Sequence, residues 1–140
     1  MCTIIEIKGD IRTAPQGYSI AAAFSDDLNC NVGIPKIMDE MFNIVDRIEA
    51  IKRYKKTDAI AKLDNLYLLF VKESSYDTPI YNRMVIALKE LRKRCEKDCI
   101  KKLAMPKICT GSGGFDWEKV NDAIMDAFML TDIDIVIYCR

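Results

Sequence analysis

Between Met105 and Val120 the sequence passes from an apolar run through Cys109-Thr110-Gly111-Ser112-Gly113-Gly114 into an amphipathic helical pattern. A strand, a glycine-rich turn and a helix in that order admit few folds, chiefly α/β layers with the loop at the carboxyl end of a strand. Glycine lets backbone N–H groups approach an anion closely and accepts positive φ, while the following helix aims the positive end of its dipole at the loop. The segment therefore suits a phosphate. Taken alone, however, a Gly-x-Gly-Gly loop is more often an ordinary turn.

The rest of the chain supplies the layers. Thr3–Ile7 is isoleucine-rich and reads as a strand stopping at Gly9-Asp10. Tyr18–Phe24 is a second apolar run, and such runs suit strands buried on both faces. A helix is expected over Ile34–Met41, with Pro35 in its first turn and Ile37, Met38 and Met41 as its apolar stripe. Val45, Ile48 and Ile51 continue helical packing up to the basic segment Lys52-Arg53-Tyr54-Lys55-Lys56. Ala59–Leu63 and Leu66–Lys72 flank Asp64-Asn65 as a hairpin. Thr78 as N-cap and Pro79 at the first helical position open the clearest helix, whose apolar period is Tyr81, Met84, Val85, Leu88, Leu91 and Cys95. Lys102–Met105 is a short strand feeding the glycine loop. Asp116 is placed to cap a helix carrying Trp117, Val120, Ile124, Ala127 and Phe128, and Ile133–Tyr138 is a last buried strand. This order predicts an α/β fold in a single domain over residues 1–140, with a mixed central sheet sandwiched between helices.

Composition narrows the chemistry. Lys plus Arg and Asp plus Glu both number 21, so no bulk field draws in nucleic acid or an anionic membrane. Only the local patch Lys52, Arg53, Lys55 and Lys56 offers contact to a short single strand. Histidine is absent, which removes Ser-His-Asp and Cys-His constellations and most catalytic zinc sites. The six cysteines show no Cys-x-x-Cys spacing, although Cys95 and Cys99 lie four apart on a predicted helix, a spacing that permits a shared face. With no secretory leader at Met1-Cys2-Thr3-Ile4-Ile5-Glu6, the chain is expected inside the cell with free thiols. No apolar run approaches the ~20 residues needed to span a bilayer. Nothing visible calls for a metal or a cofactor.

Several elements together resemble a macro domain, the small α/β module that binds ADP-ribose. They are Gly9-Asp10-Ile11 after the first strand, the loop Ser25–Pro35 ahead of a helix, and the phosphate loop with its Trp117 helix. Met105-Pro106-Lys107-Ile108 followed by Gly111-Ser112-Gly113-Gly114-Phe115-Asp116-Trp117 is similar to the branch holding terminal ADP-ribose protein glycohydrolase and the antitoxin that strips ADP-ribose from DNA. The resemblance implies that Asp10 accepts a hydrogen bond from the adenine amino group, assisted by the Ile11 backbone. It further implies that the amides of Ser112, Gly113, Gly114 and Phe115, in the loop opened by Gly111, receive the diphosphate. Phe115 is open to two readings, stacking near the distal ribose or packing in the core.

Lys72 closes the strand Leu66–Val71 where this branch places a lysine that attacks the anomeric carbon of the distal ribose. A free lysine, with pKa about 10.4, is mostly protonated, so the role demands desolvation or a cationic neighbour. The alternative is a solvated charge at a strand end. Two departures from the family pattern stand out. The loop Asp27–Pro35 keeps Gly33 but carries Asn31 where relatives show another glycine, so that Asn31 either narrows the cleft or hydrogen-bonds ribose. The acid that the protein-directed hydrolase carries a few residues into the phosphate loop is replaced by Gly113 in ungapped register; Asp116 substitutes for it only if the register shifts, and otherwise reads as a helix N-cap.

The leading reading is thus an ADP-ribosyl glycohydrolase acting through Lys72 on acidic protein side chains or a DNA base. The alternative is a non-catalytic ADP-ribose reader, and a third is a scaffold whose cleft has closed. Expected partners are ADP-ribose or an ADP-ribosylated macromolecule, with nucleic acid only as modified substrate, no membrane, and a monomeric protein.

Overall fold

The computed structural model describes residues 2–55, 59–111 and 113–140. Along the chain lie β1 (Thr3–Lys8), β2 (Ser19–Ser25), α1 (Gly33–Phe42), α2 (Ile48–Lys55), β3 (Ile60–Leu63), β4 (Leu66–Lys72), α3 (Tyr81–Lys97), β5 (Lys102–Pro106), α4 (Trp117–Phe128) and β6 (Asp134–Cys139). The strands form one sheet in the order β1-β6-β5-β2-β4-β3. Only β3 runs antiparallel to its neighbour, paired in the hairpin register Leu63 to Leu66, so the sheet is mixed as expected.

Period-two alternation builds both cores from the same strands. In β4, Tyr67, Leu69 and Val71 face a core closed by α3 and α4, whereas Leu66, Leu68 and Phe70 face one closed by α1 and α2. In β2, Ala21 joins the first core and Ile20, Ala22 and Phe24 the second. Each large apolar side chain so buried contributes about 1.5–3 kcal/mol against leaving it in water. On α3 the buried stripe is Met84, Ala87, Leu88, Leu91 and Cys95, with Tyr81 and Val85 packed against its margin.

Four local expectations change. β1 is not buried on both faces: it is an edge strand, and Ile5 and Ile7 keep 54% and 38% exposure because α1 and α2 lie over β2 and β3 instead. Asn43, at φ 56°, ends α1 in the left-handed region, so the chain restarts at α2 and Val45 points outward while Ile51 is buried. The third helix opens at Tyr81, not Pro79, because the Ile80 amide donates to the Val71 carbonyl at 2.9 Å; residue 80 is held extended beside β4, and Thr78 caps nothing. Finally, Cys95 is buried while Cys99 lies past the end of α3 at φ 56° and is exposed, so the two share no face. Cys2, Cys30, Cys95, Cys99, Cys109 and Cys139 are all free thiols. Among the described residues no helix is long and apolar enough to cross a membrane.

Candidate functional site

Because β2, β4 and β5 run parallel, their carboxyl ends at Ser25, Lys72 and Pro106 emerge on one edge of the sheet. The loops leaving them enclose a cleft of about 390 Å³, within the range of small-molecule sites. Its apolar floor includes Ala23, Phe24, Val71, Pro106 and Ile108, and its polar groups come from Ser25, Asn29, Lys72, Ser75 and Lys107. Gly33, Ile34 and Pro35 place the start of α1 in the wall. Val32, the residue before that helix, makes no side-chain cap, so first-turn amides and the helix dipole remain for an anion. Gly33 itself sits at φ +67°, a conformation that costs other L-residues roughly 1–2 kcal/mol.

Lys72 stands at the end of β4, half-buried, in the cleft wall. Its Nζ donates to the carbonyls of Ser75 at 3.3 Å and Asp77 at 3.1 Å. Beside it, burial pushes the Cys109 thiol up to about 12, against the opposing pull of the Lys72 charge. That thiol is therefore protonated near neutral pH and is no rival nucleophile.

The glycine loop is folded on itself. The Gly114 amide donates to Gly111 O at 2.8 Å and the Phe115 amide to Cys109 O at 2.7 Å. Two of the four amides expected to face a diphosphate thus already have internal acceptors. Close packing fixes the glycines: a Cβ on Gly114 would lie 2.3 Å from Cys109 O, and one on Gly113, at φ +74°, 2.6 Å from Thr78 Cγ2. Ser112 lies outside the described residues, as does Lys56 of the basic segment.

No family model matches the chain. The macrodomain of Thermus aquaticus DarG shares its fold, with a TM-score of 0.82 at 17% identity over 99% of each chain. So does Thermosipho africanus DarTG in complex with ADP-ribose, with a TM-score of 0.78 at 18% identity over 99% of this chain and 42% of that one. In sequence, the chain is 30% identical over 139 residues to the ADP-ribose glycohydrolase OARD1 of Homo sapiens, covering 96% of this chain and 90% of that protein. The chain belongs to the macro domain family.

Within this macro domain, the cleft brings together Lys72, Gly33, Gly111 and Gly114, while Asp10, Ile11, Asn31, Gly113 and Phe115 stand outside its lining. Asp10 is already paired: Arg12 reaches its carboxylate through Nη2 at 2.7 Å and Nε at 3.1 Å, and Arg140 through Nη2 at 3.5 Å. The Arg12 side chain, then the Arg12 amide at 2.9 Å, hold the Asp10 carboxyl down at about 2. Ile11 is buried in the α1/α2 core. Asn31 is exposed, with its amide bonded to Asn29 Oδ1 at 3.1 Å. Phe115 packs edge-on against Tyr81, ring centroids 5.5 Å apart, and Lys119 Nζ lies over both rings. Asp116 occupies the N-cap position of α4 with extended backbone, but its side chain bonds no first-turn amide.

Sequence reasoning assigned no role to Asp27, Asn29 and Ser75. The one local signal is Ser25-x-Asp27 directly after a strand, where Ser and Asp side chains favour turns that bond their own backbone.

Proposed function

We propose that this macro domain is an ADP-ribosyl glycohydrolase that uses Lys72 as nucleophile. The observation that carries the reading is the position of the Lys72 amine in a cleft wall it shares with the glycine loop and the uncapped start of α1. The kinship supports it, since the human relative is named an ADP-ribose glycohydrolase and a protein of the same fold has been seen with ADP-ribose. In this reading the adenosine end lies toward Asp10 and Ile11. The diphosphate lies across Gly111–Phe115 and the α1 amides near Gly33, and the distal ribose beside Lys72, with Asn31 at its rim.

The neutral Nζ lone pair forms a bond to the anomeric carbon as the bond from that carbon to the carboxyl or base breaks, its electron pair departing with the leaving group. The nitrogen releases a proton to solvent. Water then cleaves the adduct, returning the free amine and ADP-ribose. One domain over residues 1–140 carries out both binding and chemistry, as a monomer inside the cell.

The reader alternative is favoured by one observation: among the described residues, no carboxylate lines the cleft to assist water in the second step. Incubation with peptides ADP-ribosylated on glutamate, and with an ADP-ribosylated oligonucleotide, separates the two. A hydrolase releases ADP-ribose, and Lys72→Ala slows release by about 10³-fold or more while still binding ADP-ribose. A reader binds without release, and undiminished release by Lys72→Ala would refute the lysine mechanism. Accumulation of protein plus one ADP-ribose would identify a slow second step.

A further inference from the structure

One carboxylate ties together the corner that holds Lys72. Asp27 lies just past β2, and its two oxygens take three donors. Ser25 Oγ and the Asn29 amide (3.1 Å) bond Oδ1, and the Ser75 amide (3.0 Å) bonds Oδ2. Asn29 Nδ2 also donates to Ser75 Oγ at 3.0 Å, so Ser75 is gripped at both its amide and its hydroxyl. The backbone repeats the link, with the Asp26 amide on Lys72 O at 2.9 Å and the Asp27 amide on Glu73 O at 3.3 Å. Asp77 is fixed in turn, its amide on Ser74 O at 3.0 Å and its carboxylate taking the Ser74 amide at 3.1 Å. The carbonyls of these two braced residues, Ser75 and Asp77, receive Lys72 Nζ.

A neutral primary amine has two N–H bonds and one lone pair in a tetrahedral arrangement. Two fixed carbonyls engage both N–H groups and so direct the lone pair away from the loop. Lys72 lines the cleft together with Ser75, so in the proposed reading a lone pair turned from these carbonyls faces the distal ribose. We propose that Asp27 is a positioning residue, which through Ser75 aims the Lys72 lone pair at the anomeric carbon. This rests on the reading of Lys72 as nucleophile. Geometry of this kind matters because a misplacement of about 1 Å can cost on the order of 10²-fold in rate. A turn cap with no other role would affect folding but leave the rate per folded molecule alone.

The test measures kcat, KM, ADP-ribose affinity and the single-turnover rate of adduct formation on folded protein for four variants. For Asp27→Ala, adduct formation and kcat are expected to fall on the order of 10²-fold with KM and ADP-ribose affinity unchanged. Asp27→Asn presents one acceptor and one donor. It can serve either Ser75 or the Ser25 and Asn29 donors but not both, so its loss should be intermediate. Ser25→Ala keeps the carboxylate on Ser75 and should lose least. Should Asp27→Ala not fold, the Asn variant carries the same comparison. Wild-type rates in the Asp27 variants, with Lys72→Ala inactive, would overturn the positioning role alone. A parallel loss of ADP-ribose affinity would also overturn it, since that marks collapse of the cleft. Full activity in Lys72→Ala would overturn the lysine reading and this inference with it.

Discussion

Along the wall formed by the ends of β2 and β4, the bends are tied by side chains: Asp27 bonds three donors, Asn29 bonds Ser75, and Arg83 bonds Asp26 at 2.7 Å. The loop from Cys109 to Phe115, which meets the same cleft, closes on its own backbone through Gly114 to Gly111 and Phe115 to Cys109. The side-chain ties run through Ser25, Asn29 and Ser75, which themselves line the cleft. The backbone ties of the loop engage two amides that the proposed reading gives to the diphosphate. On the proposed reading, the contrast means that the corner holding Lys72 is built in advance, while the glycine loop exchanges internal acceptors for phosphate oxygens. That exchange is inexpensive, since a backbone hydrogen bond contributes a net of only about 0.5–1.5 kcal/mol.

The contrast can be broken most severely at Gly114. A Cβ there would meet the Cys109 carbonyl at 2.3 Å and Gly111 O at 3.0 Å, both main-chain atoms that cannot step aside. Gly114→Ala should weaken ADP-ribose binding on the order of 100-fold, about 2.7 kcal/mol by calorimetry, with the Lys72 corner intact. Gly113→Ala meets a side chain instead, Thr78 Cγ2 at 2.6 Å, but at φ +74°. The left-handed conformation costs about 1–2 kcal/mol, so affinity should drop roughly tenfold, and adding Thr78→Ser should restore only the steric part.

A smaller effect is expected at Asp10, where the proposed reading puts the adenine. Arg12→Ala leaves the Asp10 carboxylate its longer contact to Arg140 at 3.5 Å, and because solvent screens an exposed ion pair heavily, it should tighten ADP-ribose binding by well under tenfold. Unchanged or weaker affinity would mean that Asp10 does not read the base.

The smallest effect is a pH dependence of stability. Hydrogen bonds, first from Ser25, hold the Asp27 carboxyl at about 2 against an ordinary 3.8. A depressed carboxylate stabilises the fold fully above its ordinary pKa and loses that contribution as pH falls toward 2. Urea midpoints of wild type and Asp27→Ala should therefore converge as pH drops from 4 to 2, and parallel curves would contradict the bonding seen.

Legibility in the sequence followed the range of the forces. The hairpin at Asp64-Asn65 and the alternation of Leu66–Val71 are local and periodic, and the sheet assembled from them as read. The start of α3 was misread because a tertiary bond, Ile80 to Val71, overrides the capping preference of Thr78. Asp27 and Ser75 are 48 residues apart, and no local pattern reports such a contact. Glycine spacing located the turn between β5 and α4 but carries no information on which way its amides point. For Asp10, the sequence named the residue but not its competitor two positions on, although Arg12 was in plain view.

The central claim is geometric: ADP-ribose lies with its distal ribose against an amine already aimed at it. A crystal structure of the Lys72→Ala variant with ADP-ribose, superposed on the unliganded wild type, tests this directly. The account predicts diphosphate on the Gly111–Phe115 loop, the 73–77 loop unmoved, and the anomeric carbon about 3–3.5 Å from the position of the wild-type Nζ. Nucleotide bound elsewhere, or an anomeric carbon out of reach of that position, would contradict it.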